Sequence, residues 1–326
     1  MEIKKLNNNS DDNEIWDNFL LKSKTPNIFS HSLYDKKNDD YETKKYLIIK
    51  GTEIVASFKL YSKDKNIFNG NSLYCPINYR KISDQNKSSL HHEKNKVLKV
   101  LINELILSFK KGTFCLDYKT TDLREFEFYN FDNKKKIFLI DTVSYTTILD
   151  TSHFDKDYKN LNNSFFFLNC AETTRQQIRY SQNKNYTFCE DEDIKDLRDI
   201  FINTFNRNKL EINFDIDENI NFLMNLQKKN LLKIYKTYQN HKLKALAIFG
   251  VIGDNAIYLH GGRISDEKDD LSLLFCLVNS FYELKKISVK TIDLEGVNSP
   301  KRGYFKTSFG GDIYPYYKIN FNNDSN

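Results

Sequence analysis

The sequence predicts an α+β protein made of two modules in tandem, each a mixed, mostly antiparallel sheet flanked by helices. Three observations lead there. The chain has 326 residues, beyond the roughly 250–300 at which single cores stop growing. Short strand-like runs cluster together, and each cluster is followed by one long amphipathic stretch and a further strand. The order strands, long helix, strand, more strands then recurs in the second half, although no residue-level repeat accompanies it. The polar, aperiodic stretch Asp150–Asn163 marks the boundary, giving modules at 1–150 and 151–326.

In the first module Glu14–Leu21 reads as a short helix with Trp16, Phe19 and Leu20 on one side. Tyr46–Lys50 and Ile54–Ser62 are strands flanking the turn Gly51–Glu53, and Ser72–Cys75 is a third strand stopped by Pro76. Glu93–Phe109 carries Val97, Leu98, Leu101, Ile102, Leu105 and Ile106, the stripe of an amphipathic helix. Gly112 stands where a helix C-cap favours glycine. Phe114–Tyr118 and Lys136–Leu149 complete the β content. In the second module Thr173–Tyr180 opens with a helix, Tyr186–Cys189 is a strand, and Ile194–Thr204 and Ile216–Lys228 are helices. Leu232–Tyr238, Lys244–Gly250 and Ala256–Ile264 form a three-strand meander. Leu271–Leu284 is its amphipathic helix, and Thr291–Leu294 and Tyr314–Asn320 are the closing strands.

Composition narrows the function classes. Hydrophobic residues make up 40% and charged residues 29%, which is globular rather than disordered or fibrous. A net charge of +5 permits an anionic substrate but lacks the concentrated basic face of a nucleic-acid binder. Cys75, Cys115, Cys170, Cys189 and Cys276 are widely spaced, without CxxC or Cys–His clustering, so neither a disulfide framework nor a metal site is expected. No run approaches the ~20 apolar residues of a membrane span. The opening MEIKKLNNNSDDNE has no apolar signal region, so a cytoplasmic location is expected.

The chemistry concentrates in Thr291–Lys318, TIDLEGVNSPKRGYFKTSFGGDIYPYYK. A strand delivers Asp293 and Glu295 at i and i+2, on one face of the pleat, and Gly296 ends it. Ser299–Pro300 starts a short helix, Pro300–Ser308, presenting Tyr304, Phe305 and Lys306, and Gly310–Gly311 stops it. Two carboxylates and a lysine at a strand end form a candidate acid/base and charge-stabilising cluster. In Thr173–Tyr180, Arg175 and Arg179 are four apart and share a helical face. Tyr258 and His260 lie in the strand of IYLHGG, Ile257–Gly262. Tyr74, Arg80 and Lys59 offer no motif and read as structural or solvated.

These blocks resemble the FemAB-like acyltransferases, double-domain members of the GNAT superfamily. DLEG followed by a Pro-containing turn, FKxxFGG and an aromatic last strand is similar to the family's C-terminal signature. TTRQQIRY is similar to the Arg-x-x-Ile-Arg segment opening its second domain, and IYLHGG to a family strand. DLREFEFYN at Asp122–Asn130 and SYTTILD at Ser144–Asp150 are similar to the interdomain link of its polysaccharide-cluster subgroup. The matches run from about Trp16 to Tyr317. The resemblance implies two GNAT-like folds meeting at a substrate cleft, and transfer of an acyl or aminoacyl group to an amine of an amino sugar or a peptidoglycan precursor.

It further implies that Lys306 steadies charge on the tetrahedral intermediate, and that Arg175 and Arg179 lie near the acceptor, where they can hold a diphosphate. Tyr258, Tyr304 and Phe305 are expected to contact substrate. Asp293, Glu295 and His260 are three alternatives for the group that takes the amine proton. The acyl donor is expected to be acyl-CoA or an aminoacyl-tRNA, with no metal. Acetyl-CoA enzymes of the superfamily cradle the pyrophosphate in a glycine-rich loop before a helix. Here that place reads RISDEKDD (Arg263–Asp270), with Asp266, Glu267, Asp269 and Asp270 and no glycine, which disfavours standard CoA binding there. The long helical-hairpin insertion of several tRNA-dependent relatives is also missing, so the donor stays open.

Overall fold

The computed structural model describes residues 1–38, 40–70, 72–81, 86–154, 164–208, 211–212, 214–265, 267 and 270–323. It divides into two compact units: Met1–Tyr145 with Pro315–Asn326, and Thr146–Tyr314. The break falls after Tyr145, near the expected 150, and the expected second module is not one piece. The end of the chain returns to the first unit, because Tyr317–Asn322 pair antiparallel with Lys111–Leu116.

The first unit contains β1 (Glu2–Leu6), α1 (Ser10–Lys22), β2 (Glu42–Lys50), β3 (Glu53–Lys63), β4 (Asn66–Phe68) and β5 (Ile77–Tyr79). α2 (Lys87–Ser108), β6 (Lys111–Leu116), α3 (Arg124–Asn133) and the start of β7 (Phe138–Asp150) follow. Its sheet runs β1-β2-β3-β4-β6 with β5 also on β3. β4 and β6 pair parallel, whereas the β1–β2, β2–β3, β3–β4 and β3–β5 pairs are antiparallel. The apolar stripe of α2 forms as expected: Val97, Leu98, Leu101, Ile102 and Leu105 are buried against β3 and β6 residues such as Phe58 and Phe114. At roughly 1.5–3 kcal/mol per large apolar side chain, that face anchors the unit.

Two expectations are corrected here. Ser72–Cys75 is irregular, and the strand lies after Pro76 at Ile77–Tyr79, because Tyr74 goes edge-on into Phe29 and Tyr316 instead of joining a ladder. Gly112 caps no helix. α2 closes at Phe109, and Gly112 lies inside β6 with φ +152°, where a Cβ would strike the backbone of Ile67.

The second unit takes the end of β7 and then α4 (Phe165–Asn169), α5 (Glu172–Gln182), β8 (Thr187–Glu190), α6 (Leu197–Asn208) and α7 (Ile216–Gln227). β9 (Leu232–Gln239), β10 (Lys242–Ile252), β11 (Asn255–Arg263), α8 (Ser272–Lys286), β12 (Thr291–Gly296), α9 (Pro300–Thr307) and β13 (Asp312–Asn322) complete the chain, β13 crossing into the first unit. The sheet order is β7-β12-β11-β10-β9-β8. β11 and β12 pair parallel across the α8 crossover and the other pairs are antiparallel. Here too the parallel pair flanks the long helix, as β4 and β6 flank α2. The core joins Phe249, Ile292 and Leu294 of the sheet to Leu277, Val278 and Phe281 of α8 and Phe309 after α9. The Asp150–Asn163 boundary falls partly outside the described residues; Thr151–His153 form a 3₁₀ turn capped by Asp150.

Candidate active site

β12 ends irregularly, and that irregularity shapes the site. Ile292 and Leu294 point into the core, so Asp293 lies on the reverse face, 4% exposed. Its Oδ1 accepts the Thr146 hydroxyl of β7 and, at 2.7 Å, the backbone N–H of Glu295. A carboxylate capturing the N–H two residues on is a local turn that competes with the ladder. Register with β7 shifts between Asp293 and Gly296, and Glu295 takes φ +62°. Only its surroundings hold a non-glycine residue there. The regular alternation that would put both carboxylates on one pleat face is thus interrupted: Asp293 is buried and bonded, and half-buried Glu295 lies at the register shift with positive φ.

α9 follows at once, with Pro300 in its first turn as expected. Gly303 lets it approach closely, since a Cβ would meet the Val297 carbonyl. Phe305 packs on the core beside Phe309, with ring centroids 5.3 Å apart. The next residue, Lys306, is half-buried; its Nζ lies 3.4 Å from the Gly296 carbonyl and 5.8 Å from the centre of the Tyr258 ring. Burial lowers the Lys306 pKa, the charges of Glu295 and then Asp293 work against it, and Arg302 adds to the lowering. Tyr258 is itself pushed well above the ordinary phenol value, first by burial. Lys306, Glu295, Asp293, Tyr258 and the Gly296 carbonyl therefore gather at one strand end. The arrangement holds a cation in a shielded place with carboxylates in electrostatic reach.

His260 is not part of that group. Ile248 pairs with His260 and Phe249 pairs with Tyr258, so Leu259 is an extra residue in β11. A bulge turns the side chains on its two sides to opposite faces. Tyr258 joins Phe249 at 5.4 Å on the α8 face, whereas the His260 ring meets Phe201 of α6 edge-on at 5.1 Å. Gly261 makes room for this, because a Cβ there would meet the Tyr258 hydroxyl.

The two arginines on α5 have local work. Arg175 donates to the carbonyls of Leu168 and Cys170, at 3.1 and 2.8 Å, closing the end of α4. Arg179 stacks over Phe167 with its guanidinium carbon 5.0 Å from the ring centre. The start of α5 does adjoin the end of α9 through Ala171 N–H and the Ser308 carbonyl, 2.9 Å apart. Tyr304 is 78% exposed. Thr146 and Arg302 were not singled out in the sequence; Thr146 reaches Asp293 only through β7–β12 pairing, a signal that no local pattern carries.

At the RISDEKDD loop, Asp266 and Asp269 lie outside the described residues. Asp270 is buried; its Oδ1 accepts the Ser272 N–H at 2.8 Å, and its carbonyl accepts from Arg263. The start of α8 thus already holds a carboxylate. Among the described residues no group of three or more His, Cys, Asp or Glu is placed to hold a metal ion, and no helix is long and apolar enough to cross a membrane.

No family model and no curated protein matches the sequence. Solved structures do. FemX superposes with a TM-score of 0.68 at 11% identity, covering 99% of this chain and 98% of that one. The C-terminal domain of a putative lysylphosphatidylglycerol synthetase from Agrobacterium fabrum gives 0.59 at 10% identity over 95% and 92%. A tandem GNAT protein from the clavulanic acid biosynthesis pathway gives 0.50 at 10% identity over 98% of both chains. The fold is the FemAB-like, tandem GNAT fold.

Proposed function

We propose that the chain is an N-acyltransferase that moves an acyl group from an activated donor to an amine at the Lys306 cluster of the second unit. The observation that carries this reading is the half-buried Lys306 ammonium at the end of β12, opposed by Glu295 and Asp293, in a fold shared with FemX. The amine nitrogen forms a bond to the donor carbonyl carbon, and the carbonyl electrons move onto oxygen. A fixed cation at that oxygen lowers the barrier by a few kcal/mol. The amine gives up its proton to Glu295, directly or through water. The C–S or C–O bond to the carrier then breaks, and the carrier leaves with a proton. Half-buried Glu295 suits the base better than Asp293, whose Oδ1 is engaged twice, or His260 on the other face.

The acceptor is an amino sugar linked to a nucleotide in surface polysaccharide synthesis. Support comes from the resemblance of DLREFEFYN and YPYYK to that subgroup. A second reading, aminoacyl transfer from tRNA to a peptidoglycan precursor, is favoured by the likeness to FemX and by Asp270, which fills the place at α8 where a CoA pyrophosphate would sit. The wild-type protein is incubated with acetyl-CoA or aminoacyl-tRNA and, in parallel, a UDP-linked amino sugar or a muramyl-peptide precursor. Products are read by mass spectrometry. An acylated amino sugar supports the first reading and an aminoacylated precursor the second. Donor left intact in every pairing overturns both and leaves a binding module.

A further inference from the structure

The first unit has a cavity of about 150 Å³ that the proposed reaction does not use. Among its lining residues are Lys24, Arg80, Lys94 and Lys119, against one carboxylate, Glu93, with Tyr79 forming an aromatic wall. The position of these side chains follows from the backbone. Lys24 is tied to β5 by its N–H to the Tyr79 carbonyl at 2.7 Å, and Ser23 bridges to Arg80. Lys94, on the second turn of α2, lies over the Tyr79 ring at 5.1 Å.

Glu93 is already engaged. It accepts from Arg80 Nη2 at 3.1 and 3.2 Å and from Lys50 at 3.2 Å, so its charge is shared between two cations, while Arg80 Nη1 also pairs with Glu53 at the surface. The Arg80 Nε N–H is buried without a hydrogen-bond partner, which is costly unless something accepts from it. Burial lowers the Lys94 pKa, and the Lys24 charge lowers it further, while Asp117 and Asp122 act in the opposite sense. Like charges brought together around a space of this size are stabilised by an anion that enters it. An oxyanion offers acceptors to several of these donors at once, and such charge-assisted bonds are about twice as strong as neutral ones.

We infer that this cavity binds an oxyanion, the phosphate or carboxylate group of a small molecule, between Lys24, Arg80 and Lys94. The site lies wholly in the first unit and is independent of the Lys306 reading.

The full chain is titrated by calorimetry with inorganic phosphate and separately with acetate, at low ionic strength because exposed charges are screened by salt. Lys24→Gln, Lys94→Gln and the double variant are compared with wild type after circular dichroism has shown each folded. Saturable 1:1 binding of either anion, weakened at least ~10-fold by each single variant, supports the site. Tighter binding of phosphate assigns a phosphorylated ligand, and tighter binding of acetate a carboxylate-bearing one. Absence of saturable binding of both anions, or variants that bind as tightly as wild type, overturns it. As a check that does not depend on the variants, nitrogen-15 resonances of the Arg80 Nε should shift on saturation with the anion. An unmoved Arg80 signal equally sinks the assignment.

Discussion

Replacing Asp293 separates geometry from charge at the candidate site. Its Oδ1 accepts from the Thr146 hydroxyl and the Glu295 N–H. Alanine removes that acceptor and leaves two donors unsatisfied where Asp293 is only 4% exposed. Each orphaned donor costs about 1–3 kcal/mol, so Asp293→Ala is expected to lose about 2–6 kcal/mol. Asparagine keeps an Oδ1 for both donors and should lose less than alanine does. It does remove one of the two carboxylates that oppose the lowering of the Lys306 pKa. The assay is urea unfolding followed by circular dichroism, with wild type, Ala and Asn side by side. If alanine is as stable as wild type, or asparagine as damaging as alanine, the strand-end turn does not rest on Oδ1.

Other outcomes follow from the same geometry. With Lys306 acting as a cation, activity should fall as pH rises through a pKa below the ordinary lysine value of 10.5. Arg302→Ala removes a lowering charge and moves that alkaline limb upward, and Asp293→Asn moves it downward. An unshifted pH–rate profile in both contradicts the electrostatic picture. The folded pKa lies below the unfolded one, so stability should rise with pH between them. Lys306→Met should abolish that rise in urea titrations at several pH values. Gly310→Ala places a Cβ against the Asn169 carbonyl at φ +76° and should cost more than about 1 kcal/mol in thermal unfolding. Arg175→Ala should lose about 1–2 kcal/mol through the Leu168 and Cys170 carbonyls. If it instead weakens acceptor binding at unchanged stability, the arginine belongs to the substrate and not to α4.

Much of the fold was legible because its signals are local and repeated. The stripe from Val97 to Leu105 on α2 and the three-strand meander β9–β11 stand where the periodicity puts them. The shared position of the parallel pair, beside α2 in one unit and α8 in the other, answers the recurring element order. The return of β13 to β6 was not legible, because pairing between residues some two hundred positions apart leaves no trace in either strand.

The candidate site was legible in its residue types but not in its geometry. Asp293 and Glu295, at i and i+2, were expected to share a face, and regular alternation is interrupted there and again at Tyr258–His260. In the first case a carboxylate captures a backbone N–H and turns the chain; in the second a single extra residue, Leu259, reverses the alternation. Both are one-residue departures that hydrophobic patterning cannot detect, and departures of this kind concentrate where function is. The helical spacing of the α5 arginines is as read, but the carbonyls and the ring that α4 offers them are not revealed by spacing.

The central claim, that Lys306 steadies charge during acyl transfer to an amine, is tested most directly by the turnover of Lys306→Ala beside wild type. Donor loss and acylated amine are followed by mass spectrometry on the same donor–acceptor pair. The account predicts a fall of at least ~10²-fold, the loss associated with one oxyanion donor, with unfolding no less cooperative than in wild type. Turnover close to wild type in the folded variant would contradict it.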